Sequence, residues 1–240
     1  MKHLAEVLRI CKGVTAFVGG GGKTSAIYEL AKELSTQGYR VIVTTTTKMY
    51  IPRLDQVETL LIHPTIDDIK EAFFSSCCIG IGGGVQDSKI LGVTEEALKR
   101  MKELADYILV EADGSKRLPI KVPGKYEPVI PNEAEHVIAV VGMSGLGQNL
   151  EDCCFRKEET MTLLGVNETH VISEEDLVKI ITSSNGLQKG IENKRVTVLL
   201  NQMDTINDKN LSKYMVSEIK KNKIDQVVLA SLREKRWWRE

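Results

Sequence analysis

The amino-acid sequence predicts an α/β fold with a doubly wound, mostly parallel sheet, formed by a single domain over residues 1–240. Three features predict it. Nearly unbroken apolar runs, such as 40–44, 107–110 and 137–141, are typical of strands that are covered on both faces. Segments with helical periodicity alternate with these runs, which is the pattern of parallel sheets. The chain has 240 residues, of which 42% are hydrophobic, so it can bury a core of this kind.

The predicted helices and strands follow one another along the chain. Residues 23–37 carry apolar side chains every three to four positions and end at Gly38, which predicts a helix with one buried stripe. Residues 143–194 are poor in strand signals and rich in helix signals, so we expect a small helical insertion or cap there. The other predicted elements are helix 3–11, strand 14–18, strand 40–44, helix 66–74, strand 76–81, helix 94–104, strand 107–110, strand 137–141, strand 195–200, helix 207–221 and strand 225–230.

A glycine-rich loop joins the first strand to the first long helix. Residues 17–25 read FVGGGGKTS. Glycine lets backbone N–H groups converge on an anion, and the start of the following helix adds partial positive charge. Lys23 would bind the terminal phosphates of a nucleotide, and the Thr24 hydroxyl is placed to ligate Mg²⁺. The usual string has glycine where Phe17 stands, so the loop has the shorter form G-x-x-G-K-T.

This loop predicts a P-loop NTPase-like fold that binds ATP or GTP with Mg²⁺. A flexible turn is the alternative, but the strand before the loop and the helix after it favour phosphate binding. The residues assigned to the nucleotide on this basis are Gly19, Gly20, Gly21, Gly22, Lys23, Thr24 and Ser25.

Two carboxylates follow the predicted strand 107–110. Glu111 and Asp113 lie two residues apart, so their side chains share a face if the chain is extended. Ligands of open α/β sheets bind beyond the carboxyl ends of the strands, where carboxylates hold Mg²⁺ or orient water. The predicted metal ligands are Thr24, Glu111 and Asp113, and the sequence leaves open which acid binds the metal and which acts as a base. A solvated strand end is the alternative.

Two further polar segments also follow predicted strands. Thr45 and Thr46 belong to a run of four threonines, whose hydroxyls would bond phosphates or metal-bound water. The β-propensity of threonine is the alternative explanation. Asn201 and Asp204 belong to the string N-Q-M-D, which resembles the guanine-reading N-K-x-D box with Gln202 in place of lysine. These two residues would contact the base, and a polar turn is the alternative.

A stiff, basic loop follows the two carboxylates. Residues 115–131 contain four of the six prolines, which favours an extended chain. Cations beside the phosphates can neutralise a transferring phosphoryl group or hold a small anionic second substrate. The predicted substrate ligands are Lys116, Arg117, Lys121 and Arg156, the last as an arginine finger; solvated surface charge is the alternative. The predicted catalytic residues are Lys23, Glu111, Asp113 and Lys116.

Composition restricts the partners and the compartment. The net charge of −1 and the pI of about 6.5 give no electrostatic argument for binding nucleic acid or an acidic membrane. We find no run of 18 apolar residues and no signal-peptide pattern at the N-terminus, so we expect a cytoplasmic protein. The five cysteines lack a C-x-x-C spacing and are expected to be reduced thiols. Trp237 and Trp238 would pack on the body or on a second subunit, as in a homodimer.

Taken together, the strings GGGGKTS, VTTTTK, VEADGSKRLPIKVP, YEPVIP and LLNQMD resemble the YqeC family, accessory proteins of selenium-dependent molybdenum hydroxylases. The resemblance spans nearly the whole chain, and its most specific part is the central EADGS string. It implies a P-loop NTPase fold and a role in maturing a selenium- or molybdenum-containing cofactor. The partner would be a molybdenum hydroxylase or a cofactor-synthesis protein. Where the family often has His-Arg, this chain has Phe155 and Arg156.

The predicted function is Mg²⁺-dependent binding of a nucleoside triphosphate, with hydrolysis or transfer of its terminal phosphoryl group, during this maturation. The enzyme would be an NTPase or a phosphotransferase. One alternative is a nucleotide-gated accessory module, or chaperone, with little turnover of its own. The other is a Mur-ligase-like or kinase activity on a small anionic substrate.

Overall fold

The computed structural model describes residues 2–206, 208–222, 224 and 226–239. The helices are α1 (Leu4–Val7), α2 (Lys23–Thr36), α3 (Ile66–Ser75), α4 (Glu95–Lys102), α5 (Leu150–Cys153), α6 (Lys157–Leu164), α7 (Glu174–Thr182) and α8 (Lys209–Lys220). The strands are β1 (Gly13–Gly19), β2 (Val41–Thr45), β3 (Lys48–Tyr50), β4 (Thr59–Ile62), β5 (Cys78–Gly82), β6 (Val85–Gln86), β7 (Lys89–Leu91), β8 (Tyr107–Glu111), β9 (Ile120–Lys121), β10 (Ala134–Gly142), β11 (Cys154–Phe155), β12 (Arg195–Asn201), β13 (Gln226–Ser231) and β14 (Arg236–Arg239).

The chain divides into two units. The first contains the described residues of 1–17, 24–114 and 129–136. The second contains those of 18–23, 115–128 and 137–240. Each unit is described by itself below.

The larger sheet of the first unit has the strand order β1-β8-β2-β5-β4, and the pairs between these strands are parallel. Glu111, the last residue of β8, pairs with Phe17 of β1 on one side and with Thr45 of β2 on the other. The carboxyl ends of these three strands therefore lie side by side at one edge. A small antiparallel sheet, β3-β7-β6, belongs to the same unit.

Helix α2 follows the glycine loop and forms where the sequence predicts it. Its apolar stripe is buried, including Ile27, Leu30 and Leu34. The chain leaves the helix through Gly38, whose φ of +84° is a conformation that glycine adopts without a steric penalty. The stripe thus anchors α2 in the core, and this fixes the position of its first residues.

The second unit carries strands in the order β10-β12-β13-β14. Strands β12 and β13 are parallel, and β14 is an antiparallel edge strand. A separate two-stranded parallel ladder pairs β9 with β11, with Ile120 beside Cys154 and Lys121 beside Phe155. Residues 143–194 contain α5, α6 and α7 together with β11.

The predicted fold class, a mostly parallel α/β sheet with helices between the strands, is confirmed. Helix α1 is shorter than the predicted 3–11, because Arg9 adopts a left-handed backbone conformation with φ of +53°. The tail tryptophans belong to β14, where Trp237 pairs with Ala230. The predicted starts of the last helix and the last strand, Asn207 and Asp225, lie outside the described residues. Within the described part of the chain, every helix is too short or too polar to span a bilayer.

Candidate functional site

The glycine loop between β1 and α2 is held closely by its neighbours. The φ angles of Gly19 and Gly21 are +94° and +74°. A Cβ atom at Gly19 would lie 2.2 Å from the Val140 carbonyl oxygen, and one at Gly21 would lie 2.2 Å from the Cα atom of Gly142. Any larger residue would push the loop away from the end of β10. Glycine is therefore required at both positions for backbone angle and for space.

Two amides of this loop are engaged within the chain. The Gly20 N–H donates to the Val140 carbonyl at 2.9 Å, and the Gly21 N–H donates to the Leu118 carbonyl at 3.0 Å. The next N–H groups belong to Gly22 and to the first turn of α2. The first N–H groups of a helix have no acceptor within the helix, and they are the usual donors to a bound anion.

The side chains of Lys23 and Asn201 each donate a hydrogen bond to a backbone carbonyl of this loop. Lys23 is buried, and its Nζ donates to the Gly19 carbonyl at 2.5 Å. Asn201, at the end of β12, donates through Nδ2 to the Gly21 carbonyl at 2.8 Å and accepts from the Leu232 N–H at 3.1 Å. Its side chain thus ties the glycine loop to the residue that follows β13. The sequence suggested a base contact for Asn201, and its role as a clamp was missed.

The rest of the N-Q-M-D string forms a turn after β12. Gln202 has a left-handed backbone and accepts a hydrogen bond from the Ser144 hydroxyl at 2.7 Å. Asp204 is exposed, and its Oδ1 accepts from the Ser231 hydroxyl at 2.6 Å. This hydrogen bond lowers the pKa of Asp204, so its carboxyl is ionised at neutral pH.

A hydroxyl and a carboxylate meet at the end of β8. The Thr24 hydroxyl donates to Oε2 of Glu111 at 2.8 Å. Glu111 is 7% exposed and Asp113 is 1% exposed, so both predicted acids are buried. Tyr28 lies one helical turn after Thr24 and was not predicted as a site residue. Burial raises the pKa of the Tyr28 phenol, and the nearby charge of Glu111 raises it further.

The threonines at the end of β2 use their hydroxyls on backbone carbonyls. The Thr45 hydroxyl donates to the carbonyl of Glu111 at 2.7 Å, and it accepts from the Thr47 N–H at 3.0 Å. The Thr46 hydroxyl donates to the Val129 carbonyl at 2.6 Å. The Thr45 hydroxyl therefore fastens the end of β8 and supports Glu111 through its backbone, whereas the Thr46 hydroxyl fastens the segment before β10.

Three of the predicted substrate ligands surround one aromatic ring. Measured to the Phe155 ring centroid, Lys116 Nζ lies at 5.4 Å, Lys121 Nζ at 5.5 Å and the Arg156 Cζ at 5.1 Å. Oε2 of Glu127 lies 3.1 Å from Lys121 Nζ and 3.2 Å from Arg156 Nε. Burial alone would raise the pKa of Glu127, but the hydrogen bond from Arg156 and the charge of Lys121 outweigh it and lower that pKa.

The remaining predicted residues are on the surface. Ser25 is exposed in the first turn of α2, and Arg117 is exposed beside Lys116. Arg117, Lys116 and Arg156 share a positive φ, of +65°, +48° and +69° respectively. Non-glycine residues with such angles are strained, and they are frequent at functional sites.

The donors at the end of β8 suit a hard cation. Within the described ranges, no group of three His, Cys, Asp or Glu side chains is arranged to hold a metal ion by itself. Mg²⁺ does not need such a cage, because it commonly binds one or two protein oxygens together with phosphate oxygens and water. The Thr24 hydroxyl, in contact with the Glu111 carboxylate, supplies oxygen donors of this kind. The residues present therefore fit Mg²⁺.

Comparison with known proteins identifies the family of this chain. The family model described as YqeC protein matches residues 15–158, a range that holds the glycine loop, both acids and the cations around Phe155. The uncharacterized protein YqeC of Escherichia coli (strain K12) is 32% identical over 187 residues, covering 74% of this chain and 71% of that protein. The ATP-dependent dethiobiotin synthetase BioD of Aquifex aeolicus (strain VF5) is 28% identical over 140 residues, covering 56% of this chain and 63% of that protein. The fold is P-loop NTPase-like, and the chain belongs to the YqeC family.

Proposed function

We propose that this protein binds a nucleoside triphosphate together with Mg²⁺ and hydrolyses the nucleotide or transfers its terminal phosphoryl group. One observation carries the proposal. The hydroxyl of Thr24, which directly follows the loop lysine, contacts the Glu111 carboxylate at 2.8 Å. In P-loop proteins, a hydroxyl at this position and a carboxylate at the end of a neighbouring strand bind the same cation.

The phosphates are bound by the N–H groups from Gly22 to Ser25 and by Lys23. The amides of Gly20 and Gly21 hold the loop in shape instead, because carbonyl oxygens already accept their hydrogen bonds. Lys23 exchanges its contact with the Gly19 carbonyl for one with a phosphate oxygen. That exchange leaves the backbone of the loop in place, so the site is largely formed before the nucleotide arrives.

Thr24, Glu111 and Asp113 would hold Mg²⁺, which neutralises charge on the phosphate oxygens when it is bound. The acid that does not bind the metal orients the attacking water or acceptor. Lys116 neutralises charge that develops on the transferred group. Catalysis of this kind depends mainly on positioning and electrostatics, with little covalent chemistry from the protein.

ATP is the preferred nucleotide in this proposal. The BioD relative is named ATP-dependent. Of the two residues that could read guanine, the Asn201 amide is bonded to the glycine loop and to Leu232, which leaves Asp204 as the remaining contact. GTP stays a candidate because the exposed carboxylate of Asp204 is ionised.

Membership of the YqeC family supports the wider context of the proposal. We propose that nucleotide turnover serves the maturation of a selenium- or molybdenum-containing cofactor, in contact with a molybdenum hydroxylase or a cofactor-synthesis protein. The nucleotide-gated accessory module and the Mur-ligase-like or kinase activity remain the competing forms of this function. They differ in what triggers turnover and in where the phosphoryl group goes.

The first test is nucleotide binding by calorimetry, with ATP or GTP, with and without Mg²⁺. Lys23→Ala should weaken triphosphate binding by about 1.5–3 kcal/mol, because it removes a charge-assisted contact, and should change nucleoside binding little. Equal affinity of the variant and the wild type for the triphosphate would contradict the proposal.

The second test concerns the cation. Thr24→Val keeps the size of the side chain but removes the hydroxyl, so the dependence of binding on Mg²⁺ should weaken, whereas Thr24→Ser should retain it. Phosphate release is then measured with the protein alone, with the proposed partner (a molybdenum hydroxylase or a cofactor-synthesis protein) and with small acceptor molecules. Rapid release by the protein alone indicates an NTPase, release only with a partner indicates the accessory module, and a phosphorylated small molecule indicates a kinase or ligase.

A further inference from the structure

Strand β4 has one open edge. It is the last strand of its sheet, and in the described part of the chain it pairs only with β5. The His63 N–H donates to the Gly82 carbonyl of β5 at 3.0 Å, so the backbone groups of Leu61 also point toward β5. Because successive residues of a strand alternate in this respect, the N–H and C=O groups of Leu60 and Ile62 point away from β5. These two residues therefore present backbone donors and acceptors along the open edge.

The residues of β4 do not protect this edge. Proteins commonly prevent an edge strand from pairing with another chain by placing charged residues, proline or a bulge on it. The sequence of β4 is TLLI, which has neither a charge nor a proline, and its register with β5 is continuous. By contrast, β14, the edge strand of the second unit, begins with Arg236 and ends with Arg239. The edge of β4 is thus suited to pair with a further strand.

A cleft of about 300 Å³ is lined by β4 and by helix α3, and we call it the β4–α3 cleft. Strand β4 contributes Thr59 and Leu61. Helix α3 contributes four side chains that are three or four residues apart and therefore share one face. They are Asp68, Glu71, Ala72 and Ser75. A groove between an open strand edge and a helix can accept an extended peptide, which adds to the sheet as one more strand.

The wall that α3 gives to this cleft is acidic. The one lysine of α3, Lys70, pairs with Asp67 at 3.3 Å, and both residues lie outside the lining of the cleft. Of the residues that line the cleft, Asp68 and Glu71 carry charge. Hydrogen bonds from Thr65 lower the pKa of Asp68, so its carboxyl is ionised at neutral pH. Charge complementarity therefore favours a cationic partner in the β4–α3 cleft.

We propose that the β4–α3 cleft binds an extended segment of a partner protein in which lysine or arginine alternates with apolar residues. The segment pairs with β4, and its backbone bonds the outward N–H and C=O groups of Leu60 and Ile62. Its side chains alternate between the two faces of the sheet. On the face of α3 its cations meet Asp68 and Glu71, and on the opposite face its apolar residues extend the surface of Leu60 and of Ile62, which is 37% exposed. This binding is separate from that of the nucleotide, because it uses neither the glycine loop nor Glu111.

The test is an NMR titration of the isotope-labelled full chain, without nucleotide, with a capped octapeptide of alternating lysine and valine. We expect saturable binding, and the amides of Leu60 and Ile62 should become protected from hydrogen exchange because they gain acceptors. The octapeptide with glutamate in place of lysine should bind at least about tenfold more weakly, since both it and the wall of the cleft are anionic. The lysine peptide with methylated backbone nitrogens keeps its charges but loses its N–H donors, so it should not bind.

Two charge reversals on α3 test the position of the peptide. Glu71→Lys should raise the dissociation constant of the lysine peptide about threefold or more, because it replaces an attraction by a repulsion. Asp67→Lys is the matched control, since it makes the same change of charge on the same helix but outside the lining of the cleft. At physiological ionic strength, where salt screens the more distant charge, it should change the constant less than about twofold. Thermal melts verify that both variants are folded.

The titration contains no nucleotide, so its result is independent of whether the protein binds one. The proposal would be overturned by a lack of saturable binding, by protection that appears away from β4, by equal binding of the methylated peptide, or by equal weakening in Glu71→Lys and Asp67→Lys. Sedimentation velocity without peptide examines a second copy of the chain as the occupant. A dimer whose formation protects the amides of Leu60 and Ile62 would assign the open edge to that copy and would also overturn the proposal.

Discussion

The Asn201 side chain provides the sharpest test of how the glycine loop is held. It is 4% exposed, and its amide joins the Gly21 carbonyl to the Leu232 N–H. Asn201→Ala leaves both buried backbone groups without this partner. Each such loss costs about 1–3 kcal/mol, so we expect the free energy of unfolding to fall by about 2–6 kcal/mol. For a chain of 240 residues this corresponds to a melting temperature lower by roughly 4–24 °C.

The same variant distinguishes a clamp from a base contact. If Asn201 acts on the loop, Asn201→Ala weakens ATP and GTP binding by the same factor, because both nucleotides use the same phosphate donors. If Asn201 reads the base, the two affinities change by different factors. Calorimetry with ATP and GTP on the wild type and the variant measures this, and Asp204→Ala serves as the comparison at the exposed end of the turn. An unchanged melting temperature, or a selective loss of one nucleotide, would refute the clamp.

Three further predictions follow from individual contacts. Gly19→Ala should lower the free energy of unfolding by at least about 1–3 kcal/mol in a denaturant titration, because its Cβ would lie 2.2 Å from the Val140 carbonyl oxygen. Gly38→Ala is the control, since Gly38 also has a positive φ but has open space around it, and it should cost less. Equal costs for the two variants would contradict the packing argument. Glu127 has a pKa below its ordinary value of 4.5, so its ion pairs stabilise the fold above that pH, and this stabilisation is lost as the pH falls through the lowered pKa. The difference in melting temperature between the wild type and Glu127→Gln should therefore shrink on acidification below about 4.5. A difference that grows there would contradict this prediction. Tyr28→Phe removes a buried hydroxyl that has no hydrogen-bond partner in the described part of the chain, so the melting temperature should stay the same or rise, and a fall of several degrees would show an unrecognised role.

The central strands and the acid site were predictable because they depend on local patterns. The apolar runs that form β1 and β8 are covered on both faces, and a carboxylate ends the second run. Parallel strands bring their carboxyl ends to one edge, so Glu111 had to lie beside Phe17, near the end of β1. The contact between Thr24 and Glu111 follows from this register and from the start of α2.

Other features depend on contacts between segments that are far apart in the chain. Strand β4 was missed because it has four residues, partly exposed, and neither alternation nor a long apolar run. The clamp by Asn201 requires Gly21 and Leu232, which lie 180 and 31 residues away. Lys121 was expected to face a substrate, but its side chain is fully buried beside Glu127. This burial arises from the pairing of β9 with β11. A strand of two residues has no periodic pattern from which the sequence could have indicated it.

The G-x-x-G-K-T string therefore does not by itself define the anion site. Its glycines allow the loop to approach Val140 and Gly142, and two of its amides are used to hold it there. The shape of the loop depends equally on three residues outside the string, because Val140 and Leu118 accept those amides and Asn201 bonds the Gly21 carbonyl. Any residue type can supply a backbone carbonyl, so of these three partners only Asn201 can be recognised from the sequence. The N–H groups at the start of α2 have no acceptor within the helix, so they are the donors that can bind an anion. Two chains with the same glycine string can thus differ in phosphate affinity, because the strands around the loop determine its shape.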